Sequence, residues 1–388
     1  MWHERHQPLE AAGKVRTIGL IQEQHPDRCA LFMQWKQMDF PILVDSLNLL
    51  DVTAVPIMVL IDEAGIVKAI RPDEQTLADF VESPKAEALV SVTHATAEQG
   101  LDAANRLIMF GEAGDFDPAI AMYEQHCREH PEDGRAHFRL GVAYRKRFDA
   151  AQPQLPGDFA RSIEHWQRAL SLNPNQYIWR RRIQQYGPRL DKPYPFYDWI
   201  DVARREIAER GEVPAPLTVE LSGAEVAMPL RGGNADAGAA EAGLFEPDPD
   251  GLIERDDASL FAIEPVVVRD TGKDKQIVRM HLLLTPSAEA MAKWNDEAGS
   301  SVVWIDPPQG WSVDRQLFTL LPREGAAETA MRSLEFEVKP QPAADGSESG
   351  EPDHAPIRGY ALYNVCFGHE GICVYLRQDF EIPLASRP

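Results

Sequence analysis

The chain is 388 residues long and carries a net charge of -22, with 61 acidic residues against 39 basic ones. That balance argues against a nucleic-acid partner, because such binding relies on lysine and arginine displacing counterions, and it disfavours anionic membranes for the same reason. No apolar run is long enough to cross a bilayer, residues 1–20 lack the apolar stretch and cleavage site of a signal peptide, and four cysteines (Cys29, Cys127, Cys366, Cys373) are too few for a disulfide scaffold. The expectation is a cytoplasmic protein of two or three domains with no cofactor and no membrane insertion, each domain burying its own core.

In residues 1–85, Lys14–Glu23 holds a short apolar strand candidate. Pro26–Met38 then sets Cys29, Phe32, Met33 and Trp35 at helical spacing, and Phe40–Asp45 is a second strand. Pro56 opens the apolar run Ile57–Ile61, which turns at Asp62-Glu63-Ala64-Gly65 into Ile66-Val67. Proline removes a strand donor and tolerates a cis bond, so an ordinary strand that begins with proline fits as well. The order strand, helix, strand, short helix, proline-strand, hairpin resembles the redoxin relatives of thioredoxin over about the first fifth of the chain. The resemblance implies that Val55-Pro56 is a cis peptide that binds an extended substrate chain, and that Trp-Cys-x-x-Cys should open the first long helix.

Trp2-His3-Glu4-Arg5-His6 stands at that place, and Cys-x-x-Cys occurs nowhere. Imidazole supplies neither an attacking nor a resolving thiol, so no catalysis is expected there. The apolar strand that should precede the motif is also missing, which implies a domain incomplete at its N-terminus. A start inside the domain would leave room for a lost signal peptide and a periplasmic location. His3 and His6 could ligate a metal only with a third ligand that the segment lacks, and solvated helix-start histidines are the favoured reading. Cys29 is expected to be a buried small hydrophobe.

Between residues 95 and 210, Gly114-Asp115-Phe116 with Ile120, Tyr123 and Pro131 recurs as Gly157-Asp158-Phe159 with Ile163, Trp166, Ala169 and Pro174. Between them, Ala136–Tyr144 carries Leu140-Gly141 and Tyr144. These segments resemble tetratricopeptide repeats, in which small residues let paired helices approach, aromatics fill the gap and proline ends the second helix. Phe148–Pro156 is expected to be a proline-containing loop, Ile178–Leu190 a cap, and Trp179–Arg182 a solvated or salt-bridged face. The aromatic stretch Tyr194–Trp199 is expected to dock on a neighbour. Such hairpins present either a surface for a protein or peptide partner or a rigid spacer.

From residue 215 to 388, Leu217–Met228 alternates like a strand. Residues 232–250 and 340–356 are acidic, Gly- and Pro-rich insertions. Strands are expected over Phe261–Val268, Gln276–Thr285, Ser301–Ile305, Phe318–Leu321, Ser333–Val338, Tyr360–Cys366 and Ile372–Ile382, as an antiparallel β-sandwich. Cys366 and Cys373 flank Phe367-Gly368-His369-Glu370-Gly371 at the mouths of a hairpin, within disulfide reach. The segment Gly359–Leu384 resembles the end of the amino-terminal, immunoglobulin-like domain of the thiol reductant transporter DsbD, although the cysteine spacing there is one residue shorter. That resemblance implies electron exchange with thioredoxin-fold partners. A structural disulfide, a pair of reduced core thiols, a redox pair, or a metal site with His369 all remain open.

The architecture expected is therefore multidomain: a thioredoxin-like α/β domain, tetratricopeptide helical hairpins and a C-terminal antiparallel β-sandwich. No nucleophile triad, phosphate loop, dinucleotide motif or zinc quartet is visible. The leading functional expectation is a non-catalytic scaffold that engages a protein or peptide partner, by itself or within a larger complex. The alternative is a thiol-disulfide oxidoreductase that uses Cys366 and Cys373 with a thioredoxin-fold partner.

Overall fold

The computed structural model describes residues 2–53, 57–85, 101–151, 154–187, 196–219, 221, 225, 246–269, 277–298, 300–321, 326–341, 355–369 and 372–384. The chain has both helices and antiparallel sheets and divides into two units. Unit 1 comprises Met1–Lys146, Arg168–Arg181 and Trp199–Glu220, and unit 2 the remainder. Among the described residues, no helix is long and apolar enough to cross a membrane.

Unit 1 opens with helix α1 (Trp2–Ala11), strand β1 (Gly19–Ile21), α2 (Pro26–Lys36) and β2 (Ile42–Val44). Strands β1 and β2 run parallel, with Gly19 opposite Ile42, so α2 is their crossover. Pro26 sits in the first turn of α2, where its missing N–H has no helical partner to lose. Gln37 ends that helix in the left-handed region at φ 51° and donates its N–H to the Gln34 carbonyl.

Strands β3 (Val59–Ile61) and β4 (Val67–Ile70) form the antiparallel hairpin expected around Asp62–Gly65. The Asp62 carboxylate builds its turn by accepting from the Ala64 and Ile66 N–H groups at 3.0 and 2.9 Å. Helix α3 (Glu74–Glu82) follows, capped by Asp73, which accepts from the Thr76 N–H at 2.8 Å.

The helices α4 (Asp102–Phe110), α5 (Phe116–Glu129), α6 (Gly134–Ala150), α7 (Asp158–Leu172), α8 (Tyr177–Gln184) and α9 (Ile200–Glu209) come next. Tyr123 of α5 is fully buried and donates to Asn105 of α4 at 2.6 Å. A Cβ on Gly134 would lie 3.0 Å from the Trp179 ring, so glycine permits the close approach there. Gly114 does not: a Cβ on it would meet nothing within 4 Å, which corrects the expectation that this motif glycine serves helix packing. Helix α6 also runs through Phe148, Asp149 and Ala150, residues expected in a loop, because Phe148 is buried and extends the helix's apolar face. Arg182 is buried rather than solvated. Trp199 does dock, stacking on Trp35 of α2 at 5.7 Å while Trp35 Nε1 donates to Glu206 of α9 at 2.6 Å.

Unit 2 contains β5 (Phe261–Arg269), β6 (Val278–Pro286), β7 (Lys293–Trp294), β8 (Ser301–Asp306), β9 (Trp311–Val313), β10 (Leu317–Leu320), β11 (Arg332–Pro340), β12 (Ile357–Phe367) and β13 (Ile372–Ile382). They form two antiparallel sheets. One has the order β10-β8-β12-β13 with β7 also on β12, and the other has the order β5-β6-β11-β9. A single apolar cluster draws Met280, Leu282 and Phe336 from one sheet and Val303, Tyr363 and Val365 from the other. Strands β7 and β9 were not expected, and the described residues of Leu217–Met228 are not a strand. The parts of the two insertions at 232–245 and 342–354 lie outside the described residues.

Strand β6 is buried on both faces. Its even-numbered residues Val278 to Leu284 enter the shared core, while Arg279 and His281 are buried on the other face, against Phe159, Tyr186 and Gly187 of the same unit. The Phe159 ring packs edge-on against His281 at 5.1 Å, and the Tyr186 carbonyl accepts from His281 Nε2 at 2.7 Å. Directly opposite His281 stands Glu335, which accepts from Arg279 Nη2 at 3.1 Å. Burial alone would raise the Glu335 carboxyl, but the neighbouring His281 and Arg279 reverse this and hold it well below the usual carboxylate range.

Because the folded-state pKa is depressed, Glu335 contributes stability above the ordinary carboxylate range, and that stability is lost as pH falls through the range towards the depressed value. We expect Glu335→Ala to cost about 3–5 kcal/mol by stranding a buried cation. Urea unfolding monitored by tryptophan fluorescence should show this cost at pH 7 and a smaller one below about pH 4.

Candidate functional site

Of the positions drawn from the sequence as candidates, the structure brings two together. Cys366 and Cys373 form a disulfide with a Cα–Cα distance of 4.0 Å and a sequence separation of 7. Val55 and Pro56 lie outside the described residues, and His3 and His6 belong to α1 with side chains that are likewise outside them. Among the described residues, no group of three histidine, cysteine or carboxylate side chains could hold a metal ion, so the metal alternative with His369 has no ligand set there.

The β12–β13 register decides the geometry of the pair. Ile357 faces Ile382, and the pairing continues without a slip to Cys366 opposite Cys373 and Phe367 opposite Ile372. Strand residues alternate faces. Ile357, Ala361, Tyr363 and Val365 enter the core, so Cys366 and Cys373 sit on the opposite, outer face of the sheet. The hairpin reverses at Gly368, whose φ of 72° needs no Cβ to be tolerated, and the Gly368 N–H donates to the Ala290 carbonyl at 3.0 Å.

The backbone of β13 adds a second constraint. Arg377 donates its N–H to the Glu254 carbonyl and accepts from the Asp256 N–H, each at 2.8 Å, so its peptide groups point away from β12. By alternation the peptide groups of Cys373 point the same way. Cys366 and Cys373 are therefore a non-hydrogen-bonded pair, the kind in which antiparallel residues approach most closely.

The two sulfur-bearing residues differ in exposure. Cys366 is 7% exposed, whereas Cys373 is in the exposed class. Next to Cys366 on the other side of β12 stands Lys293 of β7, its register partner. The adjacent pair, Trp294 with Val365, is fully in the core, which places Lys293 on the outer face beside Cys366. Lys293 Nζ lies 2.8 Å from Glu328 Oε2, and this contact raises the ammonium pKa. Strand β7 is held in turn by bidentate pairing of Arg332 with Asp296 and by the Arg332 guanidinium 4.2 Å from the Trp294 ring.

Lys293 was missed in the sequence because a two-residue strand carries no periodic signal. The remaining thiols are of another kind. Burial is the main cause that raises the Cys29 thiol, and it pushes Cys127 up to about 12.

No protein-family model matches the chain. No curated protein matches it either. Among solved structures, a FixG-related protein from Vibrio parahaemolyticus aligns over 31% of this chain and 95% of its own, at 9% identity and a TM-score of 0.14. A likeness at that score has no weight for the fold or the site.

After reduction of the native protein, we expect iodoacetamide to label Cys373 first, with Cys29 and Cys127 slower by about a hundredfold or more. Peptide mapping along a labelling time course checks the order, and unfolding in urea should remove the difference.

Proposed function

We propose that the chain is a protein-interaction molecule carrying one exchangeable disulfide, Cys366–Cys373, which trades electrons with the thiols of a partner protein. The observation that carries this reading is the unequal exposure of the pair on a hairpin end. An exposed disulfide is open to attack by a thiolate, whereas one sealed in a core is not. The alternative of a purely structural bridge has less to offer here. Loop-closure reasoning assigns a loop this short under about 3 kcal/mol, and the β12–β13 ladder already fixes both residues in register.

In this reading, residues 1–85 are a thioredoxin-like domain without its cysteines, residues 95–210 are tetratricopeptide-like hairpins that offer a docking surface, and residues 215–388 are a β-sandwich domain. The parallel β1–α2–β2 unit followed by the β3–β4 hairpin supports the first assignment, and the aromatic-filled α4–α5 pair supports the second. Chemistry is assigned to the third domain because Cys29 and Cys127 are buried with raised pKa values.

A second reading, a scaffold with no thiol chemistry, is favoured by the absence of Cys-x-x-Cys from the sequence. A redox titration separates the two. We expect Cys366–Cys373 to be half reduced at a potential on the order of -200 to -270 mV, as measured by alkylation and mass spectrometry. A pair that stays oxidised below about -300 mV would leave the scaffold reading in possession.

A further inference from the structure

The row Lys293, Cys366, Cys373 runs across three adjacent strands on one face of the sheet. We infer that this row makes exchange directional: an incoming protein thiolate attacks Cys373 Sγ, and Cys366 leaves as a thiolate beside the Lys293 ammonium. The inference rests on the exchange reading above and adds which sulfur is attacked, from which side, and what stabilises the group that departs.

Three observations converge on it. Cys373 is exposed and Cys366 is buried, so only one sulfur is readily reached. Thiol-disulfide exchange is an in-line displacement, with the attacking sulfur on the extension of the bond that breaks. The bond here spans β12 and β13, so an attacker on Cys373 must arrive over β13, the last strand on its side of the sheet. Tyr375 stands exposed two residues along the same face, next to that approach. On the opposite flank, β7 places Lys293 directly across from Cys366, where cross-strand Cβ atoms are about 4.5–5.5 Å apart. A cation beside a thiolate lowers its pKa, and a leaving thiol of lower pKa departs faster.

The charges facing this spot come from three elements. Glu328 pairs with Lys293 at 2.8 Å, Glu297 acts on it from the turn after β7, and His369 lies exposed in the β12–β13 turn. The Lys293–Glu328 pair is itself exposed, with side chains 47% and 64% accessible, and such pairs hold weakly. The ammonium is thus free to share itself with a new anion at Cys366.

The step balances without any further reagent. The partner thiolate forms a bond to Cys373 Sγ as the Cys373–Cys366 bond breaks, and the electron pair of that bond leaves on Cys366 Sγ. A second partner thiol, after losing its proton, then attacks the partner's own sulfur in the mixed disulfide and releases the Cys373 thiolate. The partner dithiol is oxidised to a disulfide, and the Cys366–Cys373 disulfide is reduced to a dithiol.

The test uses the full chain, oxidised, with glutathione as the attacking thiol. Acid quenching and peptide mapping should place the glutathione adduct on Cys373 and a free thiol on Cys366. Adduct on Cys366, or equal adduct on both, overturns the assignment. Lys293→Met should slow adduct formation about 2- to 3-fold at low salt, as a rise of roughly half to one pKa unit in the leaving group gives when about half of it is felt in the rate. Lys293→Arg should restore the rate, and the difference between Lys293→Met and wild type should shrink in 1 M salt.

A disulfide that exchanges in Lys293→Met at the wild-type rate overturns the role of Lys293 alone. A slowing that persists at high salt and is not rescued by arginine marks a packing effect and overturns it as well. A wild-type disulfide that resists glutathione at every potential overturns the exchange reading together with this inference.

Discussion

The interaction on which the second unit depends is the eleven-residue register between β12 and β13, from Ile357 opposite Ile382 to Phe367 opposite Ile372. A slip of one residue would reverse the faces of the strand. Tyr363 and Val365 would leave the core, and Cys366 would enter it. The many buried side chains on the inner face therefore specify where the disulfide lies, although none of them touches its chemistry. Strand β12 is also paired along its other edge, with β8 at Arg358–Leu362 and with β7 at Val365 and Cys366. Pairing on both edges fixes Cys366 firmly, while Cys373 belongs to the outermost strand. The difference in exposure between the two sulfurs follows from this topology.

The long strands of unit 2 were legible because their alternation and apolar content are local properties. Each of the seven expected strands recurs among β5, β6, β8, β10, β11, β12 and β13 within a few residues. The β3–β4 turn was legible for a related reason, since Asp62 satisfies its own turn through backbone N–H groups only two and four residues away. Strands β7 and β9 were not legible. They have two and three residues, and their partners Cys366 and Val338 are distant in sequence, so no local pattern could announce them. Half of the candidate site, the cysteine pair, came from spacing and a hairpin turn. The other half, Lys293, came from a strand visible only in three dimensions.

Arg279, His281 and Glu335 show a different kind of illegibility. On a strand such as β6, a polar residue at every second position ordinarily marks a face in water. Here that face is covered by Phe159 and Tyr186 of the same unit, and each polar group finds a specific partner instead. The Gly187 backbone comes so near that a Cβ there would lie 2.4 Å from the Arg279 Cβ. The polar pattern is thus the same one a solvated strand would show, and only the tertiary partners separate the two cases. Burying these charges is costly unless they are paired, so the cluster ties the covering segment to one placement on the sheet.

Electrostatics at the disulfide work on two length scales. The net charge of -22 opposes the approach of any thiolate, but at physiological ionic strength this field is screened beyond about 8 Å. Within that distance the local arrangement governs, and the residue across the strand from Cys366 is the cation Lys293. A protein partner that docks by surface contact pays the long-range repulsion once, on binding, and then presents its thiolate at a short range where Lys293 is felt. A small anionic thiol has no such contact and meets the repulsion at every encounter. Under the proposed exchange, the same charge distribution would therefore favour a docked protein thiol over a small free one.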